Sequence, residues 1–254
     1  MDTYRHALIT GGGRRIGAAI TTGLARDGFT VGIHYHTSSK AADTLCGQLQ
    51  DEGANAYKLQ ADLTDFGAVD SLVDQAIKTG GPLTCLINNA SVFERDDAKS
   101  VSRKTWDIHM DVNLWAPVRL SQAFASALHD DQSGNIVNIV DQRVVSVPPD
   151  FFSYTISKGA MWTMTQSLAL AMAPRIRVNA IGPGPTLPSP RQTIEQFREQ
   201  ALRMPLGAGP TPEEISDGVR YILSAHSLTG QLITLDGGQH LGWDFPDQNA
   251  PRIE

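Results

Sequence analysis

Tyr154 and Lys158 stand four residues apart in "YTISK", so on a helix both project from one face. A free phenol titrates near ~10 and is a poor acid or base at neutral pH. A neighbouring ammonium favours the phenolate, which opens proton exchange with a carbonyl oxygen or an imine nitrogen. Upstream, the apolar run Ile136–Val140 ends on a carboxylate, Asp141. Charge at the end of a buried strand needs a partner or a task.

A second group of residues can hold phosphate. "ITGGGRRIGAAI" follows an apolar run and opens a helical pattern. Gly11 and Gly13 permit a tight turn and close backbone approach to a pyrophosphate. The helix that follows offers free N–H groups and a positive dipole end. Gly17 lets helix and strand pack closely. The spacing G-x-G-x-x-x-G is one residue longer than the standard dinucleotide fingerprint. NAD binders commonly end the next strand with an acid for the ribose 2′-hydroxyl. Here that end reads "HYHTSSK", with no acid from His34 to Lys40. A 2′-phosphate meets no like charge, and Arg14 with Ser38 or Lys40 supplies donors and positive charge. NADPH is therefore expected over NADH. His34 and His36 share one strand face, as a metal pair would, but no third ligand lies nearby and no metal is expected.

These residues need elements to position them. Strands are predicted over His6–Thr10, Thr30–Tyr35, Asn55–Gln60, Leu83–Asn88, Asn135–Val140, Ile176–Ile181 and Gln231–Asp236. Helices are predicted over Ile16–Asp27, Lys40–Glu52, Asp65–Thr79, Arg103–His129 with a break near Asp111, Phe152–Ala173 and Pro212–Ser224. Strand–helix alternation predicts one α/β domain with a doubly wound parallel sheet. The proline-rich stretch Gly182–Pro190 blocks regular structure and follows a strand, at the edge where open α/β sheets bind ligands. A substrate flap is expected around 185–210, and the tail 239–254 resists assignment.

A chain of 254 residues is ample for such a domain, and a net charge of −6 argues against a nucleic-acid partner. Two cysteines, Cys46 and Cys85, have no metal or redox spacing and are expected as free thiols. No signal-peptide pattern and no membrane span are visible, so a cytoplasmic location is expected.

Taken in order, "TGGGRRIG", "ADL", "NNAS", Asn113, "YTISK", "RVNAIGPG" and "LDGG" resemble the short-chain dehydrogenases/reductases over nearly the whole length. The resemblance implies a Rossmann-type sheet of order 3-2-1-4-5-6-7 and a homotetramer built on the helices around 113–129 and 152–173. It implies Tyr154 as the acid, Lys158 on the nicotinamide ribose and Asn113 in a water-borne proton relay. Gly11, Arg14, Arg15, Ile16 and Gly17 would hold the pyrophosphate side. Asp62 and Leu63 would border the adenine, and Asn89 and Ala90 its ribose. Pro183, Gly184 and Thr186 would line the cofactor beyond the sixth strand.

Most members of that family carry Gly at the position of Arg15 and Ser at that of Asp141. Both departures resemble a narrower group, the pteridine reductases, as do "HYH" and Phe93 after "NNAS". That resemblance implies that Arg15 reaches cofactor phosphate and pterin, that Phe93 stacks the pterin, and that Ser91 hydrogen-bonds the ligand. The group's arginine after "HYH" is Thr37 here, which leaves Arg14, His36 and Ser38 for the 2′-phosphate. Asp141 would bond to Tyr154 and help deliver a proton to a ring nitrogen. The expected function is an NADPH-dependent pterin reductase, with a carbonyl reductase or a non-catalytic NADP-binding regulator as alternatives.

Overall fold

A computed structural model describes residues 5–242. Seven parallel strands form one sheet in the order β3-β2-β1-β4-β5-β6-β7. They are β1 His6–Ile9, β2 Thr30–Tyr35, β3 Ala56–Gln60, β4 Cys85–Asn88, β5 Gly134–Ile139, β6 Ile176–Pro183 and β7 Leu232–Leu235. The helices are α1 Arg15–Arg26, α2 Ser39–Asp51, α3 Phe66–Gly80, α4 Arg103–Met110, α5 Ala116–Ala127, α6 Phe152–Ala171, α7 Ile194–Leu202 and α8 Pro212–Ser224. Strands β1 and β4 are buried along their whole length because helices cover both faces. The alternation of side chains splits them between two cores: Ala7 and Ile9 join one, Leu8 the other.

The chain winds outward in both directions from β1, so strand order reverses between β1 and β4. Register levels the strand ends there: Ile9 pairs with Ile33 on one side and Ile87 on the other, and Asn88 pairs with Asn138 of β5. The loops carrying Gly11, Asn89 and Asp141 therefore open into one crevice.

Two segments depart from the sequence expectation. The break near Asp111 is a π-helical turn, Asp111–Trp115, that joins α4 to α5 without interrupting the helical course. Such turns occur often at functional sites, and Asn113 sits in this one. The stretch 185–210 contains α7, which starts on a capping box made by Thr193 and Gln196. Strand β6 also runs through Gly182 and Pro183 into the stretch expected to be irregular. Of the tail 239–254, residues 243–254 lie outside the described residues; Gln239–Leu241 form a short 3₁₀ turn. Cys46 and Cys85 are buried and free. No helix among the described residues is long and apolar enough to cross a membrane.

Candidate active site

The phosphate loop is built from backbone. Gly11 sits at φ +61°, and a Cβ there would lie 3.1 Å from Ala90 Cα. A Cβ on Gly17 would fall 2.2 Å from the Gly11 carbonyl oxygen, so only glycine lets α1 start this close to β1. Arg14, the residue that caps α1, gives no side-chain hydrogen bond to the helix. The first N–H groups of α1 are thus left for a ligand, with the positive end of the helix dipole behind them. His34 pins this loop: its Nδ1 accepts from the Gly11 N–H at 3.1 Å, which leaves Nε2–H to donate to the Ala61 carbonyl at 3.1 Å. Burial pulls the His34 imidazole down to about 4, so it stays neutral and keeps its acceptor. With both nitrogens committed, His34 is a structural histidine. The glycine cradle and the free helix start fit a dinucleotide pyrophosphate.

Beyond the loop, His36, Thr37 and Ser38 follow β2, Asp62 and Leu63 follow β3, and Asn89 and Ala90 follow β4. All line one cleft of about 710 Å³. The Asp62 carboxylate is occupied by the Thr64 backbone N–H at 2.9 Å and hydroxyl at 2.8 Å, and the His36 ring lies 3.4 Å away. Arg14 is exposed at the cleft.

At the other end of the cleft, the Tyr154 phenol donates to Asp141 Oδ2 at 2.8 Å. The other carboxylate oxygen accepts the Arg143 backbone N–H at 2.9 Å, which starts a 3₁₀ turn and fixes the carboxylate's direction. Lys158, one turn along α6, is buried and donates to the Ile139 carbonyl at 2.8 Å. The lowering of the phenol expected from a neighbouring ammonium is not found. Burial and the Asp141 carboxylate push Tyr154 well above its usual range, against smaller opposite pulls from Arg143 and Ser91. Burial pulls Lys158 down to about 8. The phenol is therefore held protonated, as a donor. Asn113 does not line the cleft. Its side chain accepts from the Val92 N–H at 2.8 Å and donates to the Val92 carbonyl and to Ser157, so it clamps the segment carrying Ser91 and Phe93 to α6.

A model of the short chain dehydrogenase family matches residues 5–199. The chain belongs to that family. Its structure is similar to a crystal structure of FolM alternative dihydrofolate reductase 1 from Brucella suis in complex with NADP, at 48% identity and TM-score 0.93, covering 97% of this chain and 99% of the other. In sequence it is 31% identical over 237 residues to dihydromonapterin reductase of Shigella flexneri, 92% of this chain and 96% of that one. It is 27% identical over 246 residues to the 3-oxoacyl-[acyl-carrier-protein] reductase FabG of Staphylococcus aureus, 95% and 100% of the two chains.

As a short chain dehydrogenase, the protein is an oxidoreductase, and its cleft gathers the expected residues other than Asn113, Lys40 and Gly13, the last of which packs against Ala42 of α2. Gly11, Arg14, Arg15, Ile16 and Gly17 line it together with Ser91, Phe93, Asp141, Tyr154, Lys158, Pro183, Gly184 and Thr186. Two of these side chains also make contacts within the protein. The Arg15 guanidinium donates to the carbonyls of Pro188 at 2.9 Å and Leu187 at 3.2 Å, so it ties the phosphate loop to the segment that follows β6. Phe93 stacks on Phe151, with ring centroids 4.2 Å apart, and sets its edge against Tyr154 at 4.6 Å.

Sequence reading missed Arg143, which lines the cleft, and Phe151, which is fully buried and supports Phe93 from behind. The only available signal was their place between Asp141 and Tyr154. Arg15 and Phe151 are also the non-glycine residues among those described with φ in the left-handed region, both at +53°. Strain of this kind collects where a site dictates the backbone. A further buried relay holds the wall from behind. The Glu94 N–H donates to His109 Nε2, His109 Nδ1–H donates to the Ser153 hydroxyl, and that hydroxyl donates to Asp96.

Proposed function

We propose that the chain is an NADPH-dependent reductase of a pterin: a dihydropterin, a dihydrofolate or an oxidised pterin. The observation that carries this reading is the hydrogen bond from the Tyr154 phenol to the Asp141 carboxylate. A ketone has one oxygen, and a hydroxyl suffices to orient it. A ring with several nitrogens makes use of a carboxyl–phenol pair, which accepts and returns a proton at a fixed place. The relative named dihydromonapterin reductase and the NADP-bound FolM structure support the same reading.

When bound, the reduced nicotinamide supplies a hydride to a C=N carbon of the substrate. Tyr154, kept protonated by burial and by Asp141, donates its proton to the ring nitrogen. The proton is restored from solvent in the cleft, taken up by the Asp141 carboxylate and passed to the phenolate. Lys158, anchored on Ile139, holds the nicotinamide ribose. Asn113 positions Ser91 and Phe93; its amide is spent on Val92 and Ser157, so a water relay has to use its backbone. Arg14, His36, Thr37 and Ser38 receive the 2′-phosphate, at the end of β2, which carries no carboxylate of its own; the nearest, Asp62, lies 3.4 Å from the His36 ring. Assembly as a homotetramer through α5 and α6, where Leu170 is 85% exposed, belongs to the same proposal, as does a cytoplasmic location. Light scattering that gives a monomer would reject the assembly.

The decisive experiment is Asp141→Ser, assayed by NADPH oxidation with dihydrobiopterin, dihydromonapterin, dihydrofolate and a panel of ketones. Pterin turnover should fall about a hundredfold or more. A wild-type enzyme inert on every pterin and active on a ketone, with the variant unimpaired, would overturn the reading.

A further inference from the structure

His34, in β2, and His36, just past its end, meet opposite surroundings. Both ring nitrogens of His34 are hydrogen-bonded, and burial keeps it neutral. His36 lines the cleft with its side chain 52% exposed. The Gln60 side chain donates to its backbone carbonyl, but its ring has no hydrogen bond among the described residues. Its Nε2 lies 3.4 Å from Asp62 Oδ2. Hydrogen bonds from Thr64 hold that carboxyl below the usual carboxylate range, so Asp62 is an anion throughout the neutral range.

The fixed charges at this end of the cleft fall short of what an extra phosphate needs. Near neutral pH such a phosphate carries close to two negative charges. The arginines and lysine that line the cleft are Arg14, Arg15, Arg143 and Lys158. Lys158 is anchored on Ile139 and Arg143 lies against Phe93, both at the Tyr154 end. The Arg15 guanidinium is committed to the Leu187 and Pro188 carbonyls. Lys40, at the start of α2, does not line the cleft, and Lys58 of β3 is paired with Asp43 of α2. Arg14 remains, and Asp62 offsets it. Thr37 and Ser38 offer hydrogen bonds without charge. The other source of positive charge is the His36 imidazole, once it binds a proton. An imidazole is the side chain that changes charge between pH 5 and 8, and each anion within about 4–6 Å favours its charged form. Asp62 is one such anion; the phosphate is the second.

We propose that His36 reads the 2′-phosphate through a proton: NADPH draws a proton onto its imidazole on binding and NADH does not, so the preference for NADPH strengthens as pH falls toward 6.5. The proposal rests on the placing of the 2′-phosphate at the end of β2 and is independent of the substrate that is reduced.

The test is calorimetric titration of the enzyme with NADPH and with NADH at pH 7, in two buffers of different ionisation enthalpy, which counts the protons taken up per cofactor bound. The wild type should take up about half a proton with NADPH and close to none with NADH. The ratio of Kd for NADH to Kd for NADPH should fall about five- to tenfold between pH 6.5 and 8.5. Below that window the phosphate regains its own second proton, at about pH 6, which acts the other way. His36→Gln should abolish both the uptake and the pH dependence of the ratio. His36→Arg, a permanent cation, should also take up no proton and should keep the ratio high at pH 8.5. If the Gln variant fails to fold, as judged by its thermal transition, the Arg variant decides. No uptake with NADPH, equal uptake with both cofactors, or uptake that persists without His36 overturns the proton reading alone, with NADPH still preferred. A wild type that binds NADH as tightly as NADPH across the whole window overturns the placing of the 2′-phosphate and the proposal with it.

Discussion

On the phosphate-loop side of the cleft the polar groups close on one another, whereas on the substrate side several wait for a partner. His34 spends both ring nitrogens on Gly11 and Ala61. Thr10 Oγ1 accepts the N–H groups of Asn89 and Ala90, and Asn89 Nδ2 donates to the Thr10 carbonyl at 2.9 Å. Across the cleft, Gln142, Arg143 and Gln239 line the cavity, and Gln142 Oε1, Arg143 Nη1 and Gln239 Oε1 are buried just behind its surface with no hydrogen-bond partner among the described residues. A phosphate is recognised by backbone N–H groups, so side chains there are free to complete the scaffold. A heterocycle with its own donors and acceptors is recognised by side chains, which stay incomplete until it arrives.

The strongest way to break this contrast is Tyr154→Phe. The substitution removes the transferable proton and the bond to Asp141 but leaves the phosphate loop untouched. The expected loss in kcat is about 10²–10⁴-fold, with NADPH binding little changed in a fluorescence titration. A loss below about tenfold means that the phenol is not the acid. A large loss of NADPH affinity means that the two sides are not independent.

Next in size is the closure of the phosphate-loop side itself, tested through His34. Its folded value of about 4 lies below the ordinary 6.5, so the folded chain binds fewer protons between those values. Stability from this group is complete above about pH 6.5 and is lost as pH falls toward 4, by about 3 kcal/mol in all. Burial pulls His6 and His109 in the same direction, so the comparison must be with a variant. Urea unfolding of wild type and His34→Leu between pH 7 and 4.5 should show a shallower pH slope in the variant. The variant should also be less stable at pH 7, because the Gly11 N–H and the Ala61 carbonyl lose their partner. Identical slopes would place the dependence on another histidine.

The same contrast governs what could be read from sequence. The phosphate loop was legible because glycine spacing and a helix start are local facts. Strand β2 and helix α8 fall on their expected bounds for a similar reason, since each has a clear period and a clear stop. Helix α7 went unread although its capping box, Thr193 with Gln196, is written in the chain. It buries no residue, so no apolar stripe marks it in the sequence. The substrate wall was less legible. Nothing in the periodicity of residues 142–151 says that Phe151 turns left-handed to stack on Phe93, or that the Arg143 side chain is buried beside them. Those placements are tertiary. His34 was seen as part of a motif, but its task, bracing two loops, needed coordinates.

The smallest effect tests the one side chain that bridges the two sides. Arg15 sits at φ +53°, where an L-residue pays about 1–2 kcal/mol and where the family usually has glycine. In return its guanidinium holds the carbonyls of Leu187 and Pro188 at an exposed site. Arg15→Met keeps the strain and loses the flap bonds; Arg15→Gly loses both. Each should raise KM for NADPH a few-fold, since the bonds concerned contribute about 1 kcal/mol. The glycine variant should be the more stable of the two by about 1 kcal/mol, or roughly 2–4 °C in Tm. Equal stabilities would show that the left-handed arginine carries no strain. An unchanged KM in both would show that the flap closes over the cofactor without its help, and that the two sides of the cleft are joined only through the sheet.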